Sequence, residues 1–193
     1  MFMTVLKMNR QSILNASNLL NINSTNSVHK WLCNQQNSSR KDAELLYKII
    51  NKENEIYLYI QSKTKFNINN IEEFGFIYIK EINLSEINLN NVTYFDVQCF
   101  PNRQTNDKQY FLKNINDRVE WLQKQFSKHG IMLLKCTEYK LSNIILDKDA
   151  YKQIETASYN GSIKIVDEEL AKALFRSGLG RFKNYGLGLI LFR

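Results

Sequence analysis

The stretch "SGLGRFKNYGLG", residues 177–188, contains four of the seven glycines in this chain of 193 residues. Two Gly-Leu-Gly triplets flank Arg181 and Lys183, a pattern typical of loops that bind phosphate. A loop that binds a mononucleotide follows a strand and begins a helix, so that the helix N-terminus faces the phosphate. In this chain a predicted helix precedes the glycines, a predicted strand follows them, and the Gly-Lys-Ser/Thr ending is absent. The order therefore argues against a P-loop or Rossmann site, and no nucleotide cofactor is expected.

Two interpretations of the glycines remain open at this point. In the first, Gly178 follows the last turn of the helix, and the other glycines form a tight turn into the final strand. In the second, the stretch is a flexible loop whose backbone amides, together with Arg181 and Lys183, follow a nucleic-acid backbone.

The composition favours a folded protein with an acidic partner. Hydrophobic residues make up 44% of the chain and aromatic residues 12%, and the formal net charge is +7. Nucleic acid is the commonest partner of a basic domain, and an anionic membrane is the second. No apolar run reaches the roughly 18 residues of a membrane span. The N-terminal "MFMTVLKMNR" lacks the long apolar segment of a secretory signal. The sequence thus predicts a cytoplasmic protein without a membrane partner.

Metal and disulfide chemistry have few candidates in this sequence. Cys33, Cys99 and Cys136 are odd in number, lie far apart and include no C-x-x-C pair, so we expect buried free thiols. The only histidines are His29 and His129. Because no Cys/His cluster or dense carboxylate group is present, no metal site is expected.

Hydrophobic patterns predict a first domain at residues 1–100 and a second at residues 101–193. In the first we expect a helix at 23–35, capped by Ser24 or Thr25, and strands at 1–9, 44–50, 55–63, 74–82 and 91–100. In the second we expect a polar loop at 101–109, helices at 114–130 and 167–178, a strand at 131–145, two strands meeting at Asn160-Gly161, and a final strand at 187–193. Helices distributed among strands in this order predict an α+β protein of two tandem ferredoxin-like (RRM-like) folds with antiparallel sheets.

The helix–glycine–strand order, with basic residues between two Gly-Leu-Gly triplets, resembles the glycine-rich loop of the RAMP superfamily of CRISPR-associated RNA-binding proteins. Three further segments are similar to signature regions of one of its families, CasE: "VTYFDVQCFPNRQTNDKQ" (92–109), "RVEWLQKQFSKHGIML" (118–133) and "SYNGSIKIVDEELAKALFRSGLGRFKNYGLGLI" (158–190). The segment "NSVHKWLCN" (26–34), followed by "RKDAELLYKI" (40–49), is similar to the part of CasE proteins that carries an active-site histidine. The resemblance covers nearly the whole chain in colinear order.

The resemblance implies a metal-independent endoribonuclease that cuts CRISPR precursor RNA at the repeat stem-loop. It would leave a 2′,3′-cyclic phosphate and a 5′-hydroxyl and then stay bound as a subunit of Cascade. His29 takes the position of the family's histidine, a residue type suited to proton transfer near neutral pH. Lys152 lies in the strand that brings a basic residue near the scissile phosphate, where it would stabilise developing charge. From the residues alone, a surface helix position for His29 and a solvated lysine at 152 remain equally open.

One position departs from the family pattern. CasE proteins often have a tyrosine three residues before the histidine, and this chain has Asn26 there. An amide can orient a neighbour but cannot act as an acid or base. His129, at the predicted end of a helix, is expected to be a cap residue.

Proteins recognise RNA hairpins largely by shape and phosphate contacts. The residues predicted to contact the repeat stem-loop are Arg103, Lys108, Lys113, Arg181, Lys183, Gly178, Gly180 and Gly186. Two alternatives stay open: a non-catalytic RAMP-type RNA-binding scaffold subunit, with which Asn26 is consistent, and an unrelated basic α+β binding module.

Overall fold

The protein forms two compact units, described in a computed structural model for residues 1–9, 25–35, 44–52, 55–64, 76–83, 92–106, 108–147 and 152–192. The first unit contains residues 1–87, 145–152 and 184–186. The second contains residues 88–144, 153–183 and 187–193.

The first unit contains a four-stranded antiparallel sheet in the order β2-β3-β1-β4. Its elements are β1 (Phe2–Asn9), α1 (Thr25–Gln35), β2 (Leu46–Lys52), β3 (Glu55–Ser62) and β4 (Phe76–Asn83). Val28, Trp31 and Leu32 are buried in the same core as Leu6 and Leu58, because positions i, i+3 and i+4 share one face of a helix. The expected helix at 23–35 is thus confirmed from residue 25 onward, and Ser24 lies outside the described residues.

The second unit contains a sheet in the order β10-β5-β9-β8. Its elements are β5 (Thr93–Cys99), β6 (Asn102–Thr105), β7 (Lys108–Phe111), α2 (Ile115–Lys128), β8 (Ile131–Asp147), β9 (Lys152–Ile165), α3 (Glu168–Ser177) and β10 (Ile190–Phe192). Apart from the β6–β7 pair, the chain order is β-α-β-β-α-β, which is that of the ferredoxin-like fold. The same spatial order of strands in both sheets confirms the expected α+β class with antiparallel sheets.

Local signals place both helices of the second unit as expected. The Asn114 side chain caps α2 by accepting a hydrogen bond from the Asn116 amide at 2.8 Å. The Asp167 side chain caps α3 by accepting from the Leu170 amide at 3.0 Å. Gly178 ends α3 and donates its amide hydrogen to the Leu174 carbonyl at 2.7 Å, as the first interpretation of that glycine required.

The division between the units differs from the expected one at residue 100. Strand β5 belongs to the second unit, because it pairs with β9 on one side and β10 on the other. Residues 145–152 and 184–186 belong to the first unit, although they follow most of the second in sequence.

The predicted hairpin at Asn160-Gly161 is wrong. Both residues lie within β9, where they pair with Asp96 and Phe95 of β5. Glycine is needed at position 161 because β8 passes close to the backbone there, and not because the chain turns. A Cβ at position 161 would overlap the backbone carbonyl of Lys135 in β8.

The predicted polar loop at 101–109 is also wrong, because this segment forms the hairpin β6–β7. Asn102 pairs with Phe111 and Thr105 pairs with Lys108. The Leu112 amide donates to the Pro101 carbonyl at 3.1 Å and closes the base. Most side chains of the hairpin are exposed, so its sequence lacks the alternation that marks a strand on a core.

A buried ion pair joins α2 to β8. Arg118 and Glu138 are 4% and 5% exposed, and two hydrogen bonds link them, from Nε to Oε2 at 2.7 Å and from Nη2 to Oε1 at 2.5 Å. Arg118 Nη1 also donates to the carbonyls of Leu112 and Lys113, at 3.0 and 2.6 Å. The guanidinium therefore fixes the segment that leaves the β6–β7 hairpin. The sequence patterns did not identify this pair.

Arg118→Met should destabilise the protein by about 3–5 kcal/mol, because it leaves the Glu138 carboxylate buried without its partner. Urea unfolding followed by circular dichroism measures this loss. Glu120→Gln is the matched control, since Glu120 lies on the same helix but pairs with Lys124 in solvent and should cost at most about 1 kcal/mol. Equal stability of the two variants would contradict the assignment.

Candidate functional site

His29 lies in the middle of α1 and is only 5% exposed. Its imidazole stacks on the ring of Tyr47 in β2, with 6.3 Å between the centroids and 21° between the planes. Cys33, one turn further along α1, places its Sγ 3.8 Å from His29 Nε2. The interpretation of His29 as a surface helix residue is therefore wrong. The ring is held in a defined position by neighbours on two elements.

Tyr47 connects His29 to the end of the glycine stretch. Its hydroxyl donates to the Asn184 carbonyl at 3.3 Å. Gly186 has φ of +83°, and a Cβ there would lie 3.0 Å from Tyr47 Cε2. Burial raises the pKa of Tyr47 far above its usual range, so its hydroxyl is a proton donor and not a base near neutral pH. Residue 186 is thus restricted to glycine both by its backbone angle and by the tyrosine beside it.

The other half of the glycine stretch is fixed within the second unit. The Leu179 amide donates to the Gly188 carbonyl at 2.8 Å, and the Gly188 amide donates to the Gln98 carbonyl of β5 at 2.8 Å. Gly180 lies against Trp121 of α2, where a Cβ would be 3.2 Å from the indole. The stretch is therefore a loop closed by backbone hydrogen bonds.

Phe100 brings the two predicted basic segments together. It contacts Phe111, at the end of the β6–β7 hairpin, with a centroid distance of 6.0 Å. It also meets Phe182 of the glycine stretch edge to face, at 5.1 Å. The exposed Arg103 and Lys108 on the hairpin thus belong to the same part of the second unit as the glycine stretch.

The predicted cations differ in how available their charge is. Arg181 is exposed, whereas Lys183 is half-buried and its burial lowers the pKa of the ammonium. The Lys113 ammonium forms an ion pair with Glu155 and lies 5.8 Å from the centroid of the Phe111 ring. A phosphate at Lys113 would share that ammonium with the carboxylate, which already offsets part of its charge.

Lys152 and His129 occupy different settings. Lys152 is exposed at the first residue of β9 and belongs to the first unit, as His29 does. His129 is the C-cap of α2, as expected, and donates its amide hydrogen to the Phe126 carbonyl at 2.9 Å.

Tyr47 and Phe100 are the neighbours that the sequence patterns missed. Both residues contact parts of the chain that are distant in sequence, such as Asn184 and Phe182, so a local sequence pattern cannot predict their roles. Cys33 could have been found, because it lies four residues after His29 and therefore on the same face of a helix.

Cys33 and Cys99 are buried free thiols, as expected, whereas the free thiol of Cys136 is only half-buried. Its partial burial raises the pKa of Cys136 to about 11. In the described part of the chain, no three His, Cys, Asp or Glu side chains are grouped closely enough to share a metal ion. Over the same residues, no helix is long and apolar enough to cross a membrane.

Solved structures share this fold over the full length of the chain. The chain is similar to CRISPR endoribonuclease Cse3 bound to a 19-nucleotide RNA, with a TM-score of 0.84, 18% identity, and 99% of this chain and 98% of that chain covered. It is similar to Cas6e from Escherichia coli str. K-12, with a TM-score of 0.65, 16% identity, and coverage of 100% and 98%. A chain of a CRISPR RNA-guided surveillance complex matches with a TM-score of 0.70, 16% identity, and coverage of 100% and 98%.

No curated protein matches the sequence significantly. A family model described as "CRISPR associated protein" matches residues 1–193, the whole chain. This protein therefore belongs to the family of CRISPR-associated proteins.

Proposed function

We propose that this protein is a metal-independent endoribonuclease that cuts CRISPR precursor RNA at the repeat stem-loop. The observation that carries the proposal is the match in fold, over the whole chain, to Cse3 in an RNA-bound structure. The similar chain in a surveillance complex supports a second part of the proposal, that the protein stays on its product as a Cascade subunit. A protein that processes a new transcript in this way acts in the cytoplasm.

The proposed reaction needs a base, an acid and charge stabilisation. A base takes the proton of the 2′-hydroxyl, the 2′-oxygen bonds to phosphorus, and the bond from phosphorus to the 5′-oxygen breaks as an acid protonates that oxygen. His29 is proposed to transfer one of these protons, because an imidazole nitrogen can accept or donate a proton. Lys152 is proposed to stabilise the negative charge that develops on the phosphate. The products are a 2′,3′-cyclic phosphate and a 5′-hydroxyl.

The burial of His29 sets a condition on this reaction. A ring that is 5% exposed must be uncovered before it can reach a ribose. Tyr47 packs on the ring and is hydrogen-bonded to Asn184, so a shift of the glycine stretch on RNA binding would act on the neighbour of His29. We therefore propose that the stretch couples RNA binding to access at His29.

RNA binding is proposed to use the exposed cations of the hairpin and the glycine stretch. Arg103, Lys108 and Arg181 are exposed, and Phe100 contacts both segments. Lys183 and the backbone at Gly180 complete this proposed surface, with Lys113 beside it. Gly178 is buried and its amide is bonded to the Leu174 carbonyl, so it is left out of the surface. Phosphate contacts of this kind position an RNA without reading its sequence.

The burial of His29 favours a second candidate function, that of a non-catalytic RNA-binding scaffold subunit. In that role His29 would be a core residue of α1, and Asn26 would leave no acid or base at the position where the family often has tyrosine. The two functions differ in one observable, a single cut in the protein's own repeat RNA.

His29→Ala should lower the rate of repeat cleavage at least about 100-fold, since a positioned acid or base contributes that much or more. Binding of the stem-loop should stay within about threefold, because phosphate contacts supply most of the affinity. The assay is a gel of labelled repeat RNA in EDTA under single turnover, with filter binding in parallel. His129→Ala is the control and should cut at the normal rate. Undiminished cutting by His29→Ala, or a strict need for magnesium, contradicts the proposal.

Arg103→Ala, Lys108→Ala and Arg181→Ala should each reduce the slope of log K against log salt for the stem-loop by about one. Lys128→Ala, which removes an exposed cation from the last turn of α2, should leave the slope unchanged. Lys113→Ala should change it less, because Glu155 already pairs with that ammonium. A slope that falls equally for Lys128 and the hairpin residues would mean that binding is not confined to this surface.

Gly186→Ala should slow cleavage at saturating RNA by about 10- to 100-fold, because the new methyl displaces the Tyr47 ring that packs on His29. A double-mutant cycle with Tyr47→Leu tests the route, since the penalty of Gly186→Ala should shrink when the ring is absent. Thermal melting of all three variants shows that they are folded. An unchanged penalty in the Tyr47→Leu background would contradict the coupling.

A further inference from the structure

Tyr57 and Tyr59 lie on the face of the first sheet that is turned away from α1. Leu58 and Ile60 on the same strand are buried in the core that contains α1, and alternate residues of a strand point to opposite faces. The two tyrosine rings have centroids 6.5 Å apart and planes 29° apart, so their faces have nearly the same orientation. Both side chains are half-buried and so remain accessible to a ligand.

Two lysines flank the first of these rings. Lys7 of β1 pairs with Tyr57 across the strands, and its Nζ lies 5.9 Å from the ring centroid. Lys52, at the end of β2, places its Nζ 5.0 Å from the same centroid. Glu55 limits the positive charge, because its carboxylate is 2.5 Å from Lys7 Nζ and accepts from the Tyr57 hydroxyl at 2.6 Å. These bonds hold the pKa of Glu55 below its usual range, so it is ionised at neutral pH.

The accessible part of this face is at one end of the strand. The Glu55 side chain is 39% exposed, whereas Gln61, on the same face near the other end of β3, is 2% exposed. Lys52 and Glu55 pair where β2 and β3 approach their turn. Tyr57 and the two lysines are therefore grouped where the sheet is open, whereas the half-buried Tyr59 lies nearer the covered end, beside Val5 and Lys48, which are 9% and 4% exposed.

We propose that Tyr57 and Tyr59, with Lys7 and Lys52, form a stacking surface for unpaired nucleotides of the repeat RNA. This inference rests on the proposed function, because it assigns a further part of the same RNA. Every base has a face that stacks on an aromatic ring, and lysines beside the rings meet the phosphates. Aromatic side chains on a four-stranded sheet of this topology are a general means of binding single-stranded RNA. Glu55 would weaken the surface by holding one of its two lysines.

The first test measures binding of a labelled single-stranded RNA of twelve adenosines by fluorescence anisotropy. Tyr57→Ala and Tyr59→Ala should each weaken binding about 5- to 150-fold, the range found for single aromatic platforms. Tyr57→Phe and Tyr59→Phe should bind within about twofold of the unchanged protein, because the ring faces remain. Tyr94→Ala is the matched control, an exposed strand tyrosine in the second unit. Alanine variants that are folded and bind the probe normally would overturn the inference.

The charges give a second test that does not depend on removing a ring. Glu55→Gln should tighten binding of the same probe and steepen its log K against log salt slope by about 0.7, because Lys7 becomes available to a phosphate. Lys52→Ala should do the opposite, and Lys164→Ala, on β9, should do neither. A slope that is the same in Glu55→Gln, Lys52→Ala and the unchanged protein would overturn the inference.

A third measurement uses the unchanged protein and so does not depend on the folding of variants. A single strand containing 5-iodouridine, irradiated in the complex, should crosslink to Tyr57 or Tyr59, and peptide mass spectrometry should locate the bond. Crosslinks only to other residues would overturn the inference. Cleavage of the intact repeat by the same samples reports on the proposed function separately. Normal cleavage with no effect at the tyrosines rejects the stacking surface alone.

Discussion

The ring of Tyr47 lies directly against the backbone of Gly186, and the arrangement around His29 depends on that contact. A side chain at 186 would meet the ring at 3.0 Å, and the left-handed backbone there disfavours any other residue. The same ring donates to Asn184 and stacks on His29. A loop that the sequence marks only by its glycines is therefore in contact with the neighbour of the proposed catalytic histidine, within one structural unit.

Binding and chemistry are consequently assigned to different kinds of residue. The exposed cations of the hairpin and the glycine stretch can bind phosphates. Phe100 packs against an aromatic residue of each segment, Phe111 and Phe182. His29 is buried among defined neighbours, which suits a side chain that must be held in one orientation for proton transfer. A side chain that contributes to RNA affinity would instead be exposed. The proposed function requires both, and the stacking surface on β3 would extend binding to unpaired nucleotides.

Local signals predicted the parts of the fold that local interactions determine. The helices at 114–130 and 167–178 could be predicted because their patterns lie within short stretches of sequence, and the caps observed at Asn114 and Asp167 likewise involve only neighbouring residues. The hairpin predicted at Asn160-Gly161 was wrong because the glycine is there to avoid a clash with the backbone of Lys135 on another strand. The sequence rules for turns consider only neighbouring residues and do not include such a contact. Tyr47 could not be found in this way, since its hydrogen-bond partner lies 137 residues further along the chain. His29 was selected from the sequence by resemblance, but its burial could be learned only from the structure.

In the proposed reaction the protein cuts RNA through the ribose 2′-hydroxyl, and its own side chains transfer the protons. The most direct measurement uses two repeat stem-loops that differ only by a 2′-deoxy nucleotide immediately 5′ of the mapped cut. In EDTA, the ribose substrate should be cut once to give a 2′,3′-cyclic phosphate, while the deoxy substrate should bind equally well and remain intact. Cleavage of the deoxy substrate at that position would contradict the account.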